Sequence, residues 1–182
     1  MRLTAENTAI EAAAADEVVL LPNNPNVVLT AQQAASLATK VVCVVPTRSL
    51  QAGLAAMVAY DPSLCAADNG ASMEEALETL VTGEVTRASR DTVLDGVTIA
   101  SGAYLGLVEG RAVICAENFD EVARAVVDHL LAEPRDVLTL LVGADAPPLD
   151  GLTGFVESSH PGVEIDVQRG GQPHYPLLLS AE

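Results

Sequence analysis

The stretch Val41–Val45 constrains the fold of this chain most, because it joins five consecutive apolar residues, four of them β-branched. Such a run is typical of a strand that is buried on both faces. Pro46 ends the run, Thr47–Ser49 form a polar turn, and Ser49 can cap a helix over Leu50–Tyr60. A strand, a short polar loop and a helix form the unit from which parallel α/β sheets are built.

The same pattern occurs just upstream. Glu17–Leu21 predicts a strand, and Pro22–Asn26 predicts the loop that leads from it to another helix. Loops that follow neighbouring parallel strands meet at one edge of the sheet, where ligands and partners are usually held. We therefore expect one shared edge, called the rim below, formed by Asn23, Asn24, Thr47, Arg48 and Ser49.

Capping-box patterns predict where further helices begin. Thr30 with Gln33 predicts one helix, and Ser72 with Glu75 predicts another. Residues 63–71 carry no evident motif and are predicted to form a loop.

From Gly83 onward the pattern changes to short strands joined by tight turns. Asp95-Gly96 and Glu109-Gly110, each flanked by apolar residues, mark hairpins and predict an antiparallel meander. The predicted strands of the meander are Glu84–Arg90, Val97–Ala100, Ala103–Val108 and Arg111–Ala116. Arg87 and Arg90 would point to opposite faces of such a strand, so that each meets a carboxylate locally.

A second strand–helix–strand pattern follows the meander. Asn118 with Glu121 predicts the start of a helix. The predicted elements are helix Phe119–Ala132, strand Val137–Val142, helix Leu149–Ser158, strand Val163–Gln168 and a terminal strand Leu177–Ser180. The sequence therefore predicts an α/β fold with parallel βαβ units at both ends flanking a central antiparallel β-meander. These elements would form one domain over 1–182, with 1–82 and 83–182 as alternative lobes.

The net charge of −16 excludes several classes of partner. Nucleic acids require a cationic surface, and anionic membranes repel an acidic one. No apolar run approaches the roughly 18 residues of a membrane span, and the first residues lack a signal-peptide pattern. We expect a cytoplasmic protein without a transmembrane segment, whose negative field speeds encounter with a partner carrying a basic patch.

No pattern for catalysis or metal binding is recognisable. The chain has neither a GxGxxG nor a P-loop motif, and no cluster of aspartates that could hold Mg²⁺ against a nucleotide. Its three cysteines are widely spaced and lack metal-ligand spacing. We therefore do not expect a nucleotide-dependent kinase in this chain alone.

A rigid polar loop precedes the terminal strand. Gly170 and Gly171 allow positive φ angles, and Gln172, His174 and Tyr175 follow them with an amide, an imidazole and a phenol. This loop is predicted either to contact a ligand or partner beside the rim or to form a tight turn into an edge strand.

Several motifs in register give the chain a resemblance to a known family. They are Leu21-Pro22-Asn23-Asn24, Ala31-Gln32-Gln33-Ala34-Ala35, Val45-Pro46-Thr47-Arg48-Ser49-Leu50-Gln51-Ala52-Gly53-Leu54-Ala55-Ala56, Gly83-Glu84-Val85-Thr86, Arg90-Asp91-Thr92, Asp95-Gly96-Val97, Gly170-Gly171-Gln172-Pro173 and Tyr175-Pro176. Together they span nearly the whole chain. In these motifs the chain resembles the C-terminal region of the fatty acid kinase A family, also described as dihydroxyacetone kinase-like or DAK phosphatase-like.

The resemblance implies a role in acyl-phosphate formation. In that family a separate N-terminal domain binds ATP and Mg²⁺, and a DegV-like fatty acid-binding protein presents the fatty acid that is phosphorylated. The C-terminal region is implied to dock this carrier. The resemblance implies no cofactor and no catalytic residue in this chain, and it assigns ATP and Mg²⁺ only to the kinase domain.

We therefore predict a non-catalytic module whose rim contacts the carrier, with Gln172, His174 and Tyr175 as neighbours of the rim. Arg48 would offer a cation to a carboxylate or phosphate in an otherwise acidic field. One alternative is a small-molecule site for a hydroxy-ketone or an acyl phosphate in the same loops. The other is a structural module that forms a homodimer through the edge strands of the meander.

Overall fold

A computed structural model of the chain describes residues 5–182, which divide into two compact units, a first that ends at Leu80 and a second over Val81–Glu182. The first unit contains a two-stranded parallel sheet, β1 Glu17–Leu20 and β2 Val41–Val44. Its helices are α1 Ala5–Ala12, α2 Pro25–Leu37, α3 Leu50–Val58 and α4 Ala66–Glu75. The predicted parallel β–α–β unit at this end of the chain is confirmed, because α2 connects the two paired strands.

Two helices of the first unit begin earlier than the capping-box patterns predicted. Helix α2 begins at Pro25, and not near Thr30, because the fixed φ of proline and the capping side chain of Asn24 already favour a helix start there. Helix α4 occupies most of the segment that was predicted to be a loop, and Cys65 caps it. It ends at Glu75, so the helix predicted to begin at Ser72 is wrong.

The second unit contains a six-stranded mixed sheet with strand order β7-β6-β3-β10-β8-β9. Its strands are β3 Val81–Arg87, β6 Tyr104–Val108, β7 Arg111–Ala116, β8 Val137–Val142, β9 Glu164–Arg169 and β10 Leu177–Ala181. The remaining elements are the hairpin β4 Thr92–Leu94 and β5 Val97–Ile99, and the helices α5 Phe119–Leu130 and α6 Asp150–Ser159. Only the β8–β9 pair of this sheet is parallel. The predicted meander is present as β3, β6 and β7, with the β4–β5 hairpin as a separate two-stranded sheet.

The terminal strand β10 lies in the middle of the sheet, between β3 and β8. All five residues of Leu177–Ala181 are buried. Of the two alternatives for the preceding loop, a tight turn into an edge strand is therefore wrong, because the strand is not at an edge. A short, nearly continuous apolar run is typical of an interior strand, because both faces of such a strand are covered.

Helix α5 packs against the sheet at two glycines. A Cβ atom added to Gly83 would lie 2.6 Å from Cγ1 of Val126, and one added to Gly106 would lie 2.7 Å from Cγ2 of the same valine. Both distances are shorter than any normal carbon–carbon contact, so a side chain at either position would push the helix away. Glycine at 83 and 106 thus allows a close approach that fully buries Val126.

None of the helices formed by residues 5–182 combines the length and the apolar character that crossing a bilayer requires.

Glu84 lies in the middle of the sheet, paired with Leu178 of β10 and with Leu107 of β6. Burial raises the pKa of its carboxyl group, and the neighbouring Glu109 raises it further. The folded state therefore binds the Glu84 proton more tightly than the unfolded chain does. This carboxyl does not affect stability below the unfolded pKa of about 4.3. Its destabilising effect grows as the pH rises above that value and is complete once the pH exceeds the raised pKa of the folded state.

We predict that Glu84→Gln raises the melting temperature at about pH 7 to 8. The difference from the wild type should close as the pH falls towards about 4, because the unmodified carboxyl is then protonated in both states. Thermal denaturation followed by circular dichroism across this range tests the prediction, with Glu157→Gln on the exposed surface of α6 as the control. A difference between Glu84→Gln and wild type that does not change with pH would contradict it.

Candidate functional site

The structure brings the two predicted strand-end loops into direct contact. The backbone N–H of Asn23 donates a hydrogen bond of 3.0 Å to Oγ1 of Thr47, across 24 residues of sequence. Below this bond the parallel pairing continues, because the N–H of Val45 donates to the carbonyl of Leu20 over 3.1 Å. Residues 23 and 47 therefore share one edge of the first unit.

Thr47 and Asn23 are used internally at this edge. Thr47 has no exposed surface, and its hydroxyl holds the neighbouring loop. Asn23 adopts a positive φ of 55° and turns its side chain onto helix α3, where a Cβ atom on Gly53 would lie 2.2 Å from its Oδ1. This Oδ1 is buried and finds no hydrogen-bond partner among residues 5–182. The Thr47 side chain is therefore not free to reach a partner, and the amide oxygen of Asn23 is turned away from solvent.

Asn24 and Ser49 act as helix caps. The Asn24 side chain accepts a hydrogen bond of 2.9 Å from the N–H of Asn26, at the start of α2. The Ser49 hydroxyl accepts one of 3.1 Å from the N–H of Ala52, at the start of α3. Both helices therefore begin at the rim, and their dipoles add a partial positive charge there.

Arg48 is the rim residue that remains available. It is exposed, and its guanidinium makes no hydrogen bond or ion pair to the residues that the structure describes. Lys40, in contrast, donates to the carbonyls of Ile10, Glu11 and Ala13 near the end of α1. Arg48 and the two helix N-termini thus form a positive spot on a chain of net charge −16.

Gln172, His174 and Tyr175 belong to the second unit. The amide of Gln172 donates to the carbonyls of Leu141 and Tyr175, over 2.9 and 3.1 Å. His174 has a positive φ of 69°, and its carbonyl accepts a hydrogen bond of 2.8 Å from Thr86. Tyr175 is 37% exposed, and burial, followed by the charge of Glu84, raises the pKa of its phenol.

Gln172 and His174 line a polar cleft of about 450 Å³ that is formed within the second unit. The other lining residues are Thr86, Arg87, Asp145 and Pro176. Arg87 is held at this cleft by bonds of 2.8 Å to the carbonyl of Gly102 and 2.7 Å to the hydroxyl of Tyr104. The prediction that Arg87 meets a carboxylate is wrong, because its two terminal nitrogens donate to a carbonyl and a phenol instead.

The outer face of helix α3 is a feature that the sequence reasoning missed. Leu50, Leu54, Met57 and Val58 are 39%, 47%, 52% and 88% exposed. The available signal was the absence of any charged residue between Leu50 and Val58. That signal alone does not distinguish a buried helix from one with an uncovered apolar face.

The cysteines and acidic residues form no metal site in the part of the chain that the structure describes. Cys43, Cys65 and Cys115 carry free thiols. Burial, with Glu74 and Cys65 nearby, raises the pKa of the Cys43 thiol and so disfavours its reactive thiolate.

Comparison with known proteins places these features in context. A family model that describes the C-terminal domain of fatty acid kinase A-like (FakA-like) proteins matches residues 6–182. An uncharacterised protein of Staphylococcus haemolyticus is 38% identical over 175 residues, and one of Staphylococcus aureus is 33% identical over the same length. Both alignments cover 95% of this chain but 32% of the relative, so the chain spans about one third of their length.

Solved structures with the same fold share little sequence with this chain. The fatty acid kinase B3 protein of Streptococcus pneumoniae, loaded with linoleic acid, gives a TM-score of 0.68 at 12% identity, covering 98% of this chain and 76% of that protein. A fatty acid-binding DegV family protein from Thermus thermophilus gives 0.60 at 17% identity, covering 97% and 75%. At these identities the likeness establishes the fold.

We predict that Thr47→Val destabilises the first unit by about 1–3 kcal/mol, because the substitution removes the acceptor of the Asn23 N–H while keeping the shape of the side chain. Urea denaturation measures this loss. Hydrogen exchange measured by NMR should show that the Asn23 amide loses protection in Thr47→Val and keeps it in Thr47→Ser, which retains the hydroxyl. Unchanged protection in Thr47→Val would show that the bond does not hold the two loops.

Proposed function

Because this chain belongs to the family of fatty acid kinase A-like C-terminal domains, we propose that it is a non-catalytic docking module for a DegV-like fatty acid-binding protein. In this proposal the docked protein carries the fatty acid in the cytoplasm, and a kinase domain outside this chain binds ATP and Mg²⁺ and forms the acyl phosphate. The chain itself contributes recognition of the carrier.

Arg48 is the observation that carries the proposal. It is the exposed and unpaired residue of the rim, and the N-termini of α2 and α3 add positive potential beside it. An arginine in this setting fits a carboxylate through two parallel hydrogen bonds. We therefore assign to the carrier a surface aspartate or glutamate that meets Arg48.

Close packing in the second unit favours the proposal that this chain docks a carrier, because it leaves no space there for a fatty acid bound to the chain itself. Val126 of α5 fills the space above Gly83 and Gly106, where not even a methyl group could be added. An acyl chain would have to separate α5 from β3 and β6, and would disrupt a core that has no exposed surface at Val85, Val122 or Val126.

We predict that Arg48→Glu weakens binding of the fatty acid-loaded carrier at least about tenfold, which corresponds to about 1.4 kcal/mol. Arg90→Glu is the matched control, because it alters the net charge by the same amount at an exposed position outside the rim. Isothermal titration calorimetry measures both affinities, and Arg48→Lys should keep part of the binding. Equal losses in Arg48→Glu and Arg90→Glu would mean that only the overall charge matters, and would remove the rim from the proposal.

A second candidate function is favoured by the polar cleft that Thr86, Arg87, Gln172 and His174 line. The anchored guanidinium of Arg87 keeps three of its five N–H groups, which can donate to a phosphate or to a carbonyl oxygen. The positive φ of His174 is a backbone strain of the kind that occurs at ligand sites. On this proposal the cleft binds a hydroxy-ketone or an acyl phosphate in the absence of any protein partner.

Acetyl phosphate and dihydroxyacetone are the probes for this second candidate. A ligand at ten times its dissociation constant stabilises the fold by about 1.4 kcal/mol, and we expect a measurable rise in melting temperature. The rise should be lost in Arg87→Gln and kept in Arg111→Gln, a control at an exposed position of β7. No rise with either compound would leave carrier docking as the proposed function.

A further inference from the structure

Helix α3 has no charged residue along its whole length. Its sequence, LQAGLAAMV, contains one polar side chain, Gln51, and that side chain is buried. Helices of soluble proteins normally place polar residues on their outer side, as α5 does with Asp120, Arg124 and Asp128. A helix that is apolar on every side belongs in an interior.

The two sides of α3 nevertheless differ in size and exposure. Ala52, Gly53 and Ala56 are buried, and these small residues allow the helix to lie close to the rest of its unit. The larger residues point outward. Leu50, Leu54, Met57 and Val58 occupy an arc of roughly 100° at 3.6 residues per turn, and they form the exposed set described above. These four residues are called the α3 stripe below.

Exposure of the α3 stripe indicates an interface. Single exposed apolar residues are common on soluble proteins, whereas a continuous apolar face next to polar groups marks a binding surface. Val58, at 88% exposure, gains nothing from the fold of its own chain. The stripe also begins at Leu50, two residues after Arg48, so it continues directly from the positive spot of the rim.

Charge selects the kind of protein that covers the stripe. Two copies of this chain, each of net charge −16, repel one another as they approach. A different protein, with an apolar patch and a carboxylate at its edge, matches both the stripe and Arg48.

We infer that the α3 stripe is the apolar centre of the surface that docks the fatty acid carrier, with Arg48 at its edge. This inference rests on the proposed function and adds the residues that supply most of the affinity. Buried apolar side chains dominate the binding energy of most interfaces, whereas charges at the edge mainly affect association rate and specificity.

The double substitution Leu54→Gln/Met57→Gln tests the inference without changing the charge. Glutamine favours helix nearly as well as leucine and methionine, and both positions are about half exposed, so the fold should be retained. We expect the dissociation constant for the fatty acid-loaded carrier to rise at least about 30-fold, as at a typical hot spot. Leu29→Gln is the matched control, because Leu29 is a 65% exposed leucine on α2 of the same unit, and it should change binding less than about threefold.

Salt dependence distinguishes the two parts of the surface. The loss in Leu54→Gln/Met57→Gln should persist at about 1 M salt, whereas the loss in Arg48→Glu should shrink, because screening acts on charges and not on apolar contacts.

Three outcomes would overturn the inference. If Leu54→Gln/Met57→Gln binds as the wild type does while Arg48→Glu binds weakly, the stripe lies outside the docking surface and the proposed function stands. If the wild type does not bind the carrier at all, the proposed function and the inference fail together. If sedimentation velocity shows a wild-type dimer that the double substitution dissociates, the stripe is covered by a second copy of this chain.

Discussion

The hydrogen bond from the Asn23 N–H to the Thr47 hydroxyl is the interaction on which the candidate site depends. It joins two loops that follow neighbouring parallel strands, and it lies where Thr47 is completely buried. With its backbone held there, Asn23 turns its side chain against Gly53 of α3. The contact that closes the edge of the sheet therefore also helps to position α3, together with the packing of Ala56 against Val45 and Met73, and the stripe lies on the outer side of this helix.

Residue type alone does not reveal which polar residues of the rim stabilise the fold and which are available for recognition. Asparagine, serine and threonine at strand ends can cap a helix, hold a loop or bind a ligand with the same chemical groups. Here Asn24 and Ser49 cap helices, and Thr47 holds a loop. Arg48 has no such internal role, so in the proposed docking we attribute the orienting contact to Arg48 and most of the affinity to α3.

The sequence predicted the parts of the fold that depend on local patterns. The parallel pair around α2 and the β8–α6–β9 unit follow from short apolar runs separated by helical segments, and the start of α5 follows from its polar cap at Asn118. It did not predict the start of α2, because the Asn24–Pro25 pair outweighs the later Thr30 capping pattern. The central place of β10 depends on pairing between residues far apart in the chain, such as Leu177 with Val85. A local sequence pattern does not specify such pairing.

The exposure of the α3 stripe also could not be predicted from local sequence. An apolar helix predicts burial without saying whether its own chain or a partner covers it. A chain of net charge −16 keeps its own copies apart over a screening length of about 8–10 Å, so its uncovered stripe does not lead to self-association at long range. The same repulsion does not act on a partner whose surface complements both the charge and the apolar face.

A stripe of four side chains beside one arginine also suits a small and reversible interface, as expected if a carrier must dock, deliver its fatty acid and leave.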